Sequence, residues 1–540
     1  MPPIEQIWQF WAIVLATFAS EDLTCIATGL LIYDGRIGGW TGVLACTLGI
    51  FVGDFGLWLL GRLAGPPVLR WKPVAARFSA ERLGKVGEWF DRRGWRAIVA
   101  ARFLPGTRFP VYVAAGALGR SAGRFLMWAG IAALLWTPAL VLLVAWLGGV
   151  IADPLRAILG GYWLGLLGAV AILWILMMIG VRLSTAGGRS GLMVTLERVR
   201  RHEFWPAWVF YLPLLPWIAW LAVRHRGLMT PTAANPGIAR GGGIVGESKW
   251  EILSRLPAEW VVPGALLRSD GGAGRADELA SIMDERGWSF PLILKPDVGQ
   301  RGAGVRLVRD LDAAQRVLAN AAVAMIAQVY HPGPHEAGIF YVRRPSAARG
   351  RVFSVTDKEF PEVAGDGERT LEALIRAHPR YRLQAKTYLA RLGVRAGERP
   401  AVGERVRLAV AGNHCQGTLF RDGSHLVTPA LENRIDSIAR EFDGFFFGRF
   451  DVRYADADEL RAGRGFAVIE LNGVTSESTN LYDPSWPVWR AYAVLFAQWH
   501  ELYAVGAENR RRGHSVSGLL EVLREVRAHY RGRVVSTLSD

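Results

Sequence analysis

Phe447-Gly448-Arg449-Phe450-Asp451-Val452-Arg453 is the first of two strand-like stretches that decide the fold of the second half of the chain. The second, Phe466-Ala467-Val468-Ile469-Glu470-Leu471-Asn472-Gly473, follows after a short insertion. Alternate residues of a strand share a face, so Arg449, Asp451 and Arg453 share one face of the first strand, and Glu470 and Asn472 share one face of the second. Two carboxylates and an amide oxygen on neighbouring strands predict a hard-oxygen site that suits Mg²⁺ or Mn²⁺.

A glycine-rich turn earlier in the chain adds a second signal. Residues 290–297 read as an apolar strand that carries Lys295, and Gly299-Gln300-Arg301-Gly302-Ala303-Gly304 leads into another strand. This turn is neither a GxxxxGK[ST] loop nor a strand-to-helix dinucleotide turn. A lysine on the strand and backbone N–H groups in a flexible hairpin could together bind the phosphates of a nucleotide.

The R-x-D…E-x-N pair and the lysine-plus-glycine segment together resemble the ATP-grasp superfamily, in particular its D-alanine–D-alanine-ligase-like branch, over about residues 245–485. This resemblance implies an α+β fold. It also implies that the cofactors are ATP and Mg²⁺ or Mn²⁺. It also implies that a carboxylate is activated to an acyl-phosphate, which an amine or another nucleophile then attacks. The alternative is a nucleotide-binding fold that no longer catalyses a reaction.

The resemblance also implies roles for individual residues. Metal binding would fall to Asp451, Glu470 and Asn472, and catalysis to Arg449 (acyl-phosphate stabilisation) and Lys358 (phosphate contact). The implied nucleotide contacts are Lys249, Lys295, Gly299, Gln300, Arg301, Gly302, Gly304, the adenine hinge at Gln328 and the ribose or hinge acid Glu336. The tail at residues 473–480, Gly-Val-Thr-Ser-Glu-Ser-Thr-Asn, departs from the peptide-ligase ending, so the acceptor stays open.

The first half of the chain has a different composition. Of the 540 residues, 51% are hydrophobic and 21% charged, but residues 1–230 hold 22 Lys and Arg against 11 Asp and Glu, whereas the remainder holds 41 against 37. The basic surplus therefore lies among apolar stretches, which indicates the cytoplasmic loops of a membrane protein rather than a nucleic-acid-binding face. The three cysteines lack a CxxC spacing, so neither a disulfide framework nor a zinc site is expected.

Membrane spans are predicted from the apolar runs. Residues 39–61, 125–148 and 162–181 are long and apolar enough to cross a bilayer, whereas runs 7–33 and 97–118 carry charges near their middles. The basic loops 62–96 and 182–203 should both be cytoplasmic, and two full spans and the run 97–118 lie between them. Parity then predicts that 97–118 is a re-entrant hairpin turned at Pro105-Gly106. By the same argument 204–223 is a broken hairpin or an interfacial helix, with a Pro-kinked span as the alternative.

Two motifs resemble the DedA (SNARE-associated, VTT-domain) membrane proteins over roughly residues 10–150. They are Gly53-Asp54-Phe55-Gly56-Leu57-Trp58-Leu59-Leu60-Gly61-Arg62-Leu63-Ala64-Gly65, and Arg102-Phe103-Leu104-Pro105-Gly106-Thr107-Arg108 followed by Ala115-Gly116. The resemblance implies oppositely inserted hairpins that meet at mid-membrane and move a lipid carrier or phospholipid. The membrane lipid site would comprise Glu21, Asp22, Asp54, Arg102 and Arg108, because a buried arginine suits phosphate binding. A fixed ion pair between the hairpins is the alternative.

The predicted fold is therefore an α-helical polytopic membrane domain with re-entrant hairpins plus an α+β ATP-grasp soluble domain. The expected divisions are a DedA-like domain (1–181), a basic loop with a Pro-broken membrane hairpin (182–230), a cytoplasmic ATP-grasp domain (231–508) and a basic C-terminal helix (509–540). The protein is expected in the inner cell membrane, which its chain crosses several times. Expected partners are a membrane lipid or lipid-phosphate, ATP, and a carboxylate and an amine of unknown identity; no nucleic acid is expected, and an oligomer is possible.

The function expected of this fusion combines lipid translocation with Mg²⁺-ATP-dependent ligation of a carboxylate to an amine. Two alternatives stay open from the sequence. The ATP-grasp domain could be only regulatory in a lipid transporter, or the membrane domain could merely anchor a ligase that acts on a soluble metabolite.

Overall fold

The structure is a computed structural model with two compact units, Met1–Met193 and Val194–Asp540. It describes residues 3–65, 95–96, 98–99, 101–102, 108–117, 121–159, 161–184, 186–244, 246–268, 274–299, 304–409, 412–414 and 417–531.

All secondary-structure elements described in the first unit are helices. They are α1 (Pro3–Ala19), α2 (Glu21–Tyr33), α3 (Gly39–Ala64), α4 (Arg108–Ala117), α5 (Ala122–Leu159), α6 (Tyr162–Ser184) and α7 (Ala186–Arg200), which continues into the second unit. By length and composition, Gly39–Ala64, Ala122–Ile158 and Tyr162–Gly180 can each cross a membrane. These three spans agree with the sequence prediction.

The charged run 7–33 forms two helices rather than one. Ser20, with φ −161° and ψ 112°, is extended and separates α1 from α2. Glu21 and Asp22 therefore lie in the first turn of α2, where the helix dipole favours negative charge. In the second charged run, α4 has 10 residues and is too short to cross a bilayer. The predicted turn at Pro105-Gly106 lies outside the described residues.

Two motif glycines bring α3 and α4 into backbone contact. A Cβ atom on Gly61 would lie 2.0 Å from the carbonyl oxygen of Val113, and one on Gly116 would lie 2.0 Å from that of Trp58. Small residues allow membrane helices to approach this closely. The two sequence motifs therefore contain glycines that allow α3 and α4 to touch, in addition to their charged residues.

In its described residues, the second unit contains two larger antiparallel sheets and one two-stranded antiparallel pair. Its strands are β1 (Gly264–Leu267), β2 (Leu292–Pro296), β3 (Arg306–Val308), β4 (Met325–Val329), β5 (His335–Val342), β6 (Arg351–Glu359), β7 (Glu362–Ala364), β8 (Arg405–Arg407), β9 (Leu419–Asp422), β10 (Phe447–Tyr454) and β11 (Phe466–Asn472). The strand orders are β1-β4-β2-β3, β11-β10-β5-β6-β9 and β7-β8. This α+β arrangement agrees with the predicted fold class.

The helices of the second unit cover these sheets and connect them. They are α8 (Ala207–Tyr211), α9 (Leu214–Arg224), α10 (Ala239–Gly243), α11 (Lys249–Leu253), α12 (Gly274–Arg286), α13 (Leu311–Ala319), α14 (Leu371–Ala377), α15 (Ala385–Leu392), α16 (Pro429–Glu441), α17 (Ala457–Arg461), α18 (Val488–Arg511) and α19 (Leu519–Arg531). The five-stranded sheet shares a buried core with α16, through Leu431 and Ile435, while α12 and α13 pack on the four-stranded sheet. The predicted C-terminal helix is α19, and residues 532–540 lie outside the described part.

The apolar run 204–223 belongs to the second unit. It forms α8 and α9, which are separated at Leu212 and Pro213. Phe210 and Leu214 pack in one core with Leu495 of α18. With 11 residues, α9 alone is too short to span a bilayer. Whether the run 204–223 crosses the membrane as a Pro-kinked span stays a prediction. The opposite face carries exposed Trp208, Leu212, Leu215 and Val223.

Replacing Gly61 by Ala should destabilise the first unit, because the added methyl group would clash with the backbone of α4. Overpacking of this kind costs about 1–3 kcal/mol. Gly56 lies on the same helix with nothing within 4 Å of its Cβ position, so Gly56→Ala is the matched control. Thermal unfolding of the full-length protein in detergent should show a lower melting temperature for Gly61→Ala only. Equal melting of the two variants would contradict the α3–α4 contact.

Candidate functional site

The predicted metal ligands lie on two neighbouring strands. In the β10–β11 pair, Asp451 faces Glu470 and Arg449 faces Asn472. The Asn472 amide Nδ2 donates a hydrogen bond of 3.4 Å to the Asp451 carboxylate. Antiparallel pairing therefore brings together the three side chains that the sequence predicted as one set.

Cationic side chains neutralise both carboxylates of this set. Asp451 accepts bonds of 3.0 Å from Arg449 Nε and Nη2 and of 2.9 Å from Lys358 Nζ, while Glu470 accepts one of 2.6 Å from Lys249 Nζ. Burial alone would raise the pKa of Asp451, but Arg449 and Lys358 outweigh it and lower that pKa to about 2. Lys249 likewise lowers the pKa of Glu470 against the effect of burial. Both groups are therefore carboxylates at neutral pH.

The donor chemistry of this set fits a magnesium ion. Two ionised carboxylates and an amide oxygen are the ligands that Mg²⁺ prefers. Within the described residues, no cluster of three or more His, Cys, Asp and Glu side chains forms an alternative metal site. A metal would compete with Lys249 for Glu470, because that lysine is ion-paired to the same carboxylate.

Lys358 is buried between two carboxylates and contacts both. Its Nζ lies 2.7 Å from Glu336 Oε1 and 2.9 Å from Asp451 Oδ1, and Arg453 lies 3.5 Å from Glu336. The register explains this contact, since Glu336 faces Lys358 across β5–β6 and faces Arg453 across β10–β5. The predicted phosphate lysine and ribose acid thus form one ion-pair network with the predicted metal ligand.

Lys295 and the predicted adenine-hinge residue are also in contact. Lys295 Nζ donates hydrogen bonds of 2.9 Å to Gln328 Oε1 and to the backbone oxygen of Ile469. Burial is the dominant effect on this lysine and lowers its pKa to about 8. Its link to Ile469 ties the four-stranded sheet to β11 beside Glu470.

The glycine-rich loop is only partly described. Gly299 and Gly304 are described, and Gly304 has a φ of 76°, a left-handed conformation that favours glycine. The predicted contacts at Gln300, Arg301 and Gly302 lie outside the described residues.

The structure adds two residues to the predicted site. The first is Asp297, whose Oδ1 accepts bonds from Ser248 Oγ (3.0 Å) and from the Trp250 backbone N–H (2.9 Å). These bonds fix the start of α11 and thereby orient Lys249. The sequence placed Asp297 next to Lys295 but gave no sign of this contact, because its partners lie almost 50 residues away.

The second added residue is Glu477, which follows β11. Its backbone oxygen accepts a bond of 3.1 Å from Arg449 Nη1. Burial raises the pKa of the Glu477 carboxyl to about 7, and the Tyr482 hydroxyl opposes this effect only in part. One signal in the sequence could have identified Glu477: residues 473–480 depart from the peptide-ligase ending.

In the first unit, four of the five predicted membrane-site residues form one ion-pair network. Arg102 pairs with Asp54 and lies 3.3 Å from Glu21; Arg108 pairs with Glu21 and lies 3.1 Å from Asp54. The side chains of Arg102 and Asp54 are fully buried. Asp22 forms no ion pair among the described residues. Two arginines balance two carboxylates here, as burial of charge in a membrane requires.

Comparison with known proteins supports the sequence resemblance for the first unit. Residues 20–146 match the VTT domain. The chain is 33% identical over 121 residues to an uncharacterized membrane protein of Haemophilus influenzae, and 31% identical over 112 residues to an alkaline phosphatase-like protein of Lactococcus lactis. These matches cover 22% and 20% of this chain, and 57% and 52% of the two relatives, so the chain spans about half the length of the curated relatives it matches.

Among solved structures, the chain is similar to a bifunctional glutathione synthetase from Pasteurella multocida, with 15% identity, a TM-score of 0.25 and coverage of 44% of this chain and 34% of the other. It is also similar to a D-alanine–D-alanine ligase from Bacillus anthracis, with 12% identity, a TM-score of 0.27 and coverage of 53% and 69%. Likeness at this level supports no conclusion about activity.

Lys358→Met should strongly destabilise the second unit, because it leaves Glu336 and Asp451 undercompensated in a buried site. Breaking a buried pair in this way typically costs about 3–5 kcal/mol. The loss should shrink on acidification, since protonation of the two carboxylates removes the unpaired charge. Chemical denaturation of the full-length protein measures this, with exposed Lys386→Met as the control. A stability loss no larger than that of the control would contradict the network.

Residues 20–146 of this chain match the VTT domain, and the second unit has an α+β fold.

Proposed function

We propose that the second unit is a Mg²⁺-ATP-dependent ligase that activates a carboxylate as an acyl-phosphate and joins it to an amine. The observation that carries the proposal is the facing pair Asp451 and Glu470, with lysine and arginine side chains around it. The site brings together hard-oxygen ligands and cationic groups, which is the combination that phosphoryl transfer requires.

Charge at the site supports a polyanionic ligand. Five cationic side chains lie among the carboxylates of the site: Lys249, Lys295, Lys358, Arg449 and Arg453. Charge in a partly buried site is weakly screened by salt, so these cations can attract phosphate groups.

The roles of the side chains follow from their positions. Asp451, Glu470 and Asn472 would hold Mg²⁺, which when bound neutralises charge on the ATP phosphates. Lys249, which pairs with Glu470, and Lys295, which contacts the backbone oxygen of Ile469, would contact phosphate oxygens. Arg449 is held by a bidentate contact to Asp451, so its guanidinium is fixed in position to stabilise charge on an acyl-phosphate.

For the first unit we propose that the Arg102–Asp54–Arg108–Glu21 network binds the phosphate of a lipid or lipid-phosphate during its movement across the bilayer. Arginine pairs bidentately with phosphate as readily as with carboxylate, so an incoming phosphate can replace Asp54 or Glu21 as a partner. The ligase would then act on a substrate linked to that lipid.

The location proposed for the protein is the inner membrane, with the ligase unit in the cytoplasm. ATP is available there, and the basic residues Arg189, Arg198, Arg200 and Arg201 precede the second unit's aromatic helices. The exposed side chains Trp208 and Trp220 suit a membrane surface, where tryptophan side chains are favoured.

Glu470→Gln should lower ATP turnover far more than ATP affinity. The nucleotide keeps its contacts to the lysines, whereas the metal loses a charged ligand whose effect strengthens toward the transition state. Loss of such an interaction costs roughly 10²–10³-fold in rate. The measurement is ADP formation and nucleotide binding by the reconstituted full-length protein, screened with carboxylates and amines. Glu441→Gln, at an exposed position of α16, is the control. Normal turnover by Glu470→Gln would remove the basis for the ligase proposal.

Arg102→Ala should abolish phospholipid movement in proteoliposomes while Mg²⁺-nucleotide binding stays intact. The guanidinium contacts both Glu21 and Asp54, so its loss removes the phosphate-binding group and leaves two buried acids undercompensated. Arg124→Ala, at an exposed position of α5, should retain lipid movement. Parallel loss of lipid movement and nucleotide binding by inserted, folded Arg102→Ala protein would contradict separate sites in the two units.

A further inference from the structure

Glu477 carries a shielded carboxyl oxygen that no described group satisfies. The Tyr482 hydroxyl donates to Oε2 at 3.2 Å, while Oε1 is closed off from solvent and accepts no hydrogen bond. No cationic side chain pairs with this carboxylate in the part of the chain that the structure describes. Asp451 and Glu470, on the adjacent strands, each have such a partner. A shielded oxygen without a hydrogen-bond donor is costly, so a ligand that donates a hydrogen bond to Oε1 would be favoured there.

The loop that carries Glu477 is held in place on both sides. The Ser478 backbone N–H donates to Gln498 Oε1 at 2.8 Å, and Gln498 Nε2 donates to the Ser476 oxygen at 3.0 Å. Arg449 contacts the backbone oxygen of Glu477 itself. These contacts hold the backbone of the loop in position. The residue is partly exposed, and its side chain can still rotate about its own bonds. Rigid support of this kind is typical of a preorganised binding group.

The chemistry of the missing partner follows from charge. ATP phosphates and a donor carboxylate are anions, which a glutamate repels. The neighbouring cation Arg449 is already engaged by Asp451 through two hydrogen bonds. A cationic group with N–H donors is what Oε1 lacks. The aromatic ring of Tyr482, which stacks on His414 at 5.3 Å, borders the same position.

We propose that Glu477 binds the amino group of the acceptor substrate as an ammonium ion, beside the Arg449 that would hold the acyl-phosphate. This inference rests on the proposed ligase function and deepens it, because it names the residue that binds the amino group of the acceptor. Nothing in the sequence resemblance assigns Glu477.

The step balances without another reactant. The ammonium ion gives one proton to the Glu477 carboxylate, and the nitrogen lone pair then forms a C–N bond to the acyl carbon. The bond between that carbon and the phosphate oxygen breaks, and phosphate leaves with its electron pair. The second proton lost by nitrogen leaves with the phosphate, and Glu477 returns its proton to solvent. A carboxyl group with a pKa of about 7 can exchange a proton in this way near neutral pH.

Titration calorimetry with ethanolamine as the probe and ethylene glycol as its hydroxyl counterpart tests the assignment. The full-length protein would be held in phosphatidylglycerol nanodiscs with saturating Mg²⁺ and a non-hydrolysable ATP analogue. Ethanolamine should bind the wild-type protein, and Glu477→Gln should weaken this binding at least tenfold. Glu441→Gln should bind ethanolamine as the wild type does, and ethylene glycol should bind none of the three proteins.

Thermal unfolding separates binding from a structural role. Glu477→Gln removes a charge that has no partner, so its melting temperature should equal or exceed that of the wild type. A lowered melting temperature, or equal ethanolamine affinity of wild type and Glu477→Gln, would overturn the assignment of the amine site. Wild-type protein that binds no ethanolamine at saturating Mg²⁺ would overturn it as well. Failure of the wild-type protein to bind the nucleotide analogue would instead overturn the ligase function on which the inference rests.

Discussion

The antiparallel pairing of β10 with β11 is the constraint on which the candidate site depends. It places Asp451 opposite Glu470 and Arg449 opposite Asn472. The neighbouring pairings with β5 and β6 then bring Glu336 and Lys358 to the same place. A shift of one residue in the β10–β11 register would turn the carboxylates to opposite faces. The chemistry proposed for this protein therefore follows from strand register before it follows from any single side chain.

Both units bury charge by the same means, although their surroundings differ. In the membrane unit Arg102 and Arg108 neutralise Glu21 and Asp54, and in the second unit lysines and arginines neutralise Asp451 and Glu470. Pairing makes the burial of these charges tolerable. The ligands that we propose for the two networks both carry phosphate, a lipid in one case and a nucleotide in the other, because arginine can pair with phosphate as well as with carboxylate. Glu477 differs from these acids, because no cationic side chain among the described residues pairs with it. We therefore propose that its partner is the substrate.

Local sequence patterns predicted the strand-borne ligands and the three spans, because strand alternation and apolar length are properties of short segments. The contacts of Lys358 were not predictable from the sequence, since this lysine of β6 contacts Glu336 of β5 across 22 residues and Asp451 of β10 across 93 residues. The run 204–223 was apolar enough to suggest a membrane segment. Its partner Leu495 lies nearly 300 residues later, and only the folded structure shows that the two pack together.

The central claim is that Asp451 and Glu470 hold a metal ion in contact with nucleotide phosphate. Electron–nuclear double resonance of Mn²⁺ bound to the full-length protein tests it directly, since a phosphorus coupling appears only when a phosphate oxygen ligates the metal. We expect this coupling with ATP and the wild-type protein, and its loss in Asp451→Asn with Mn²⁺ and ATP at the same concentrations. An unchanged coupling in that variant, after correction for Mn²⁺-ATP free in solution, would contradict the account.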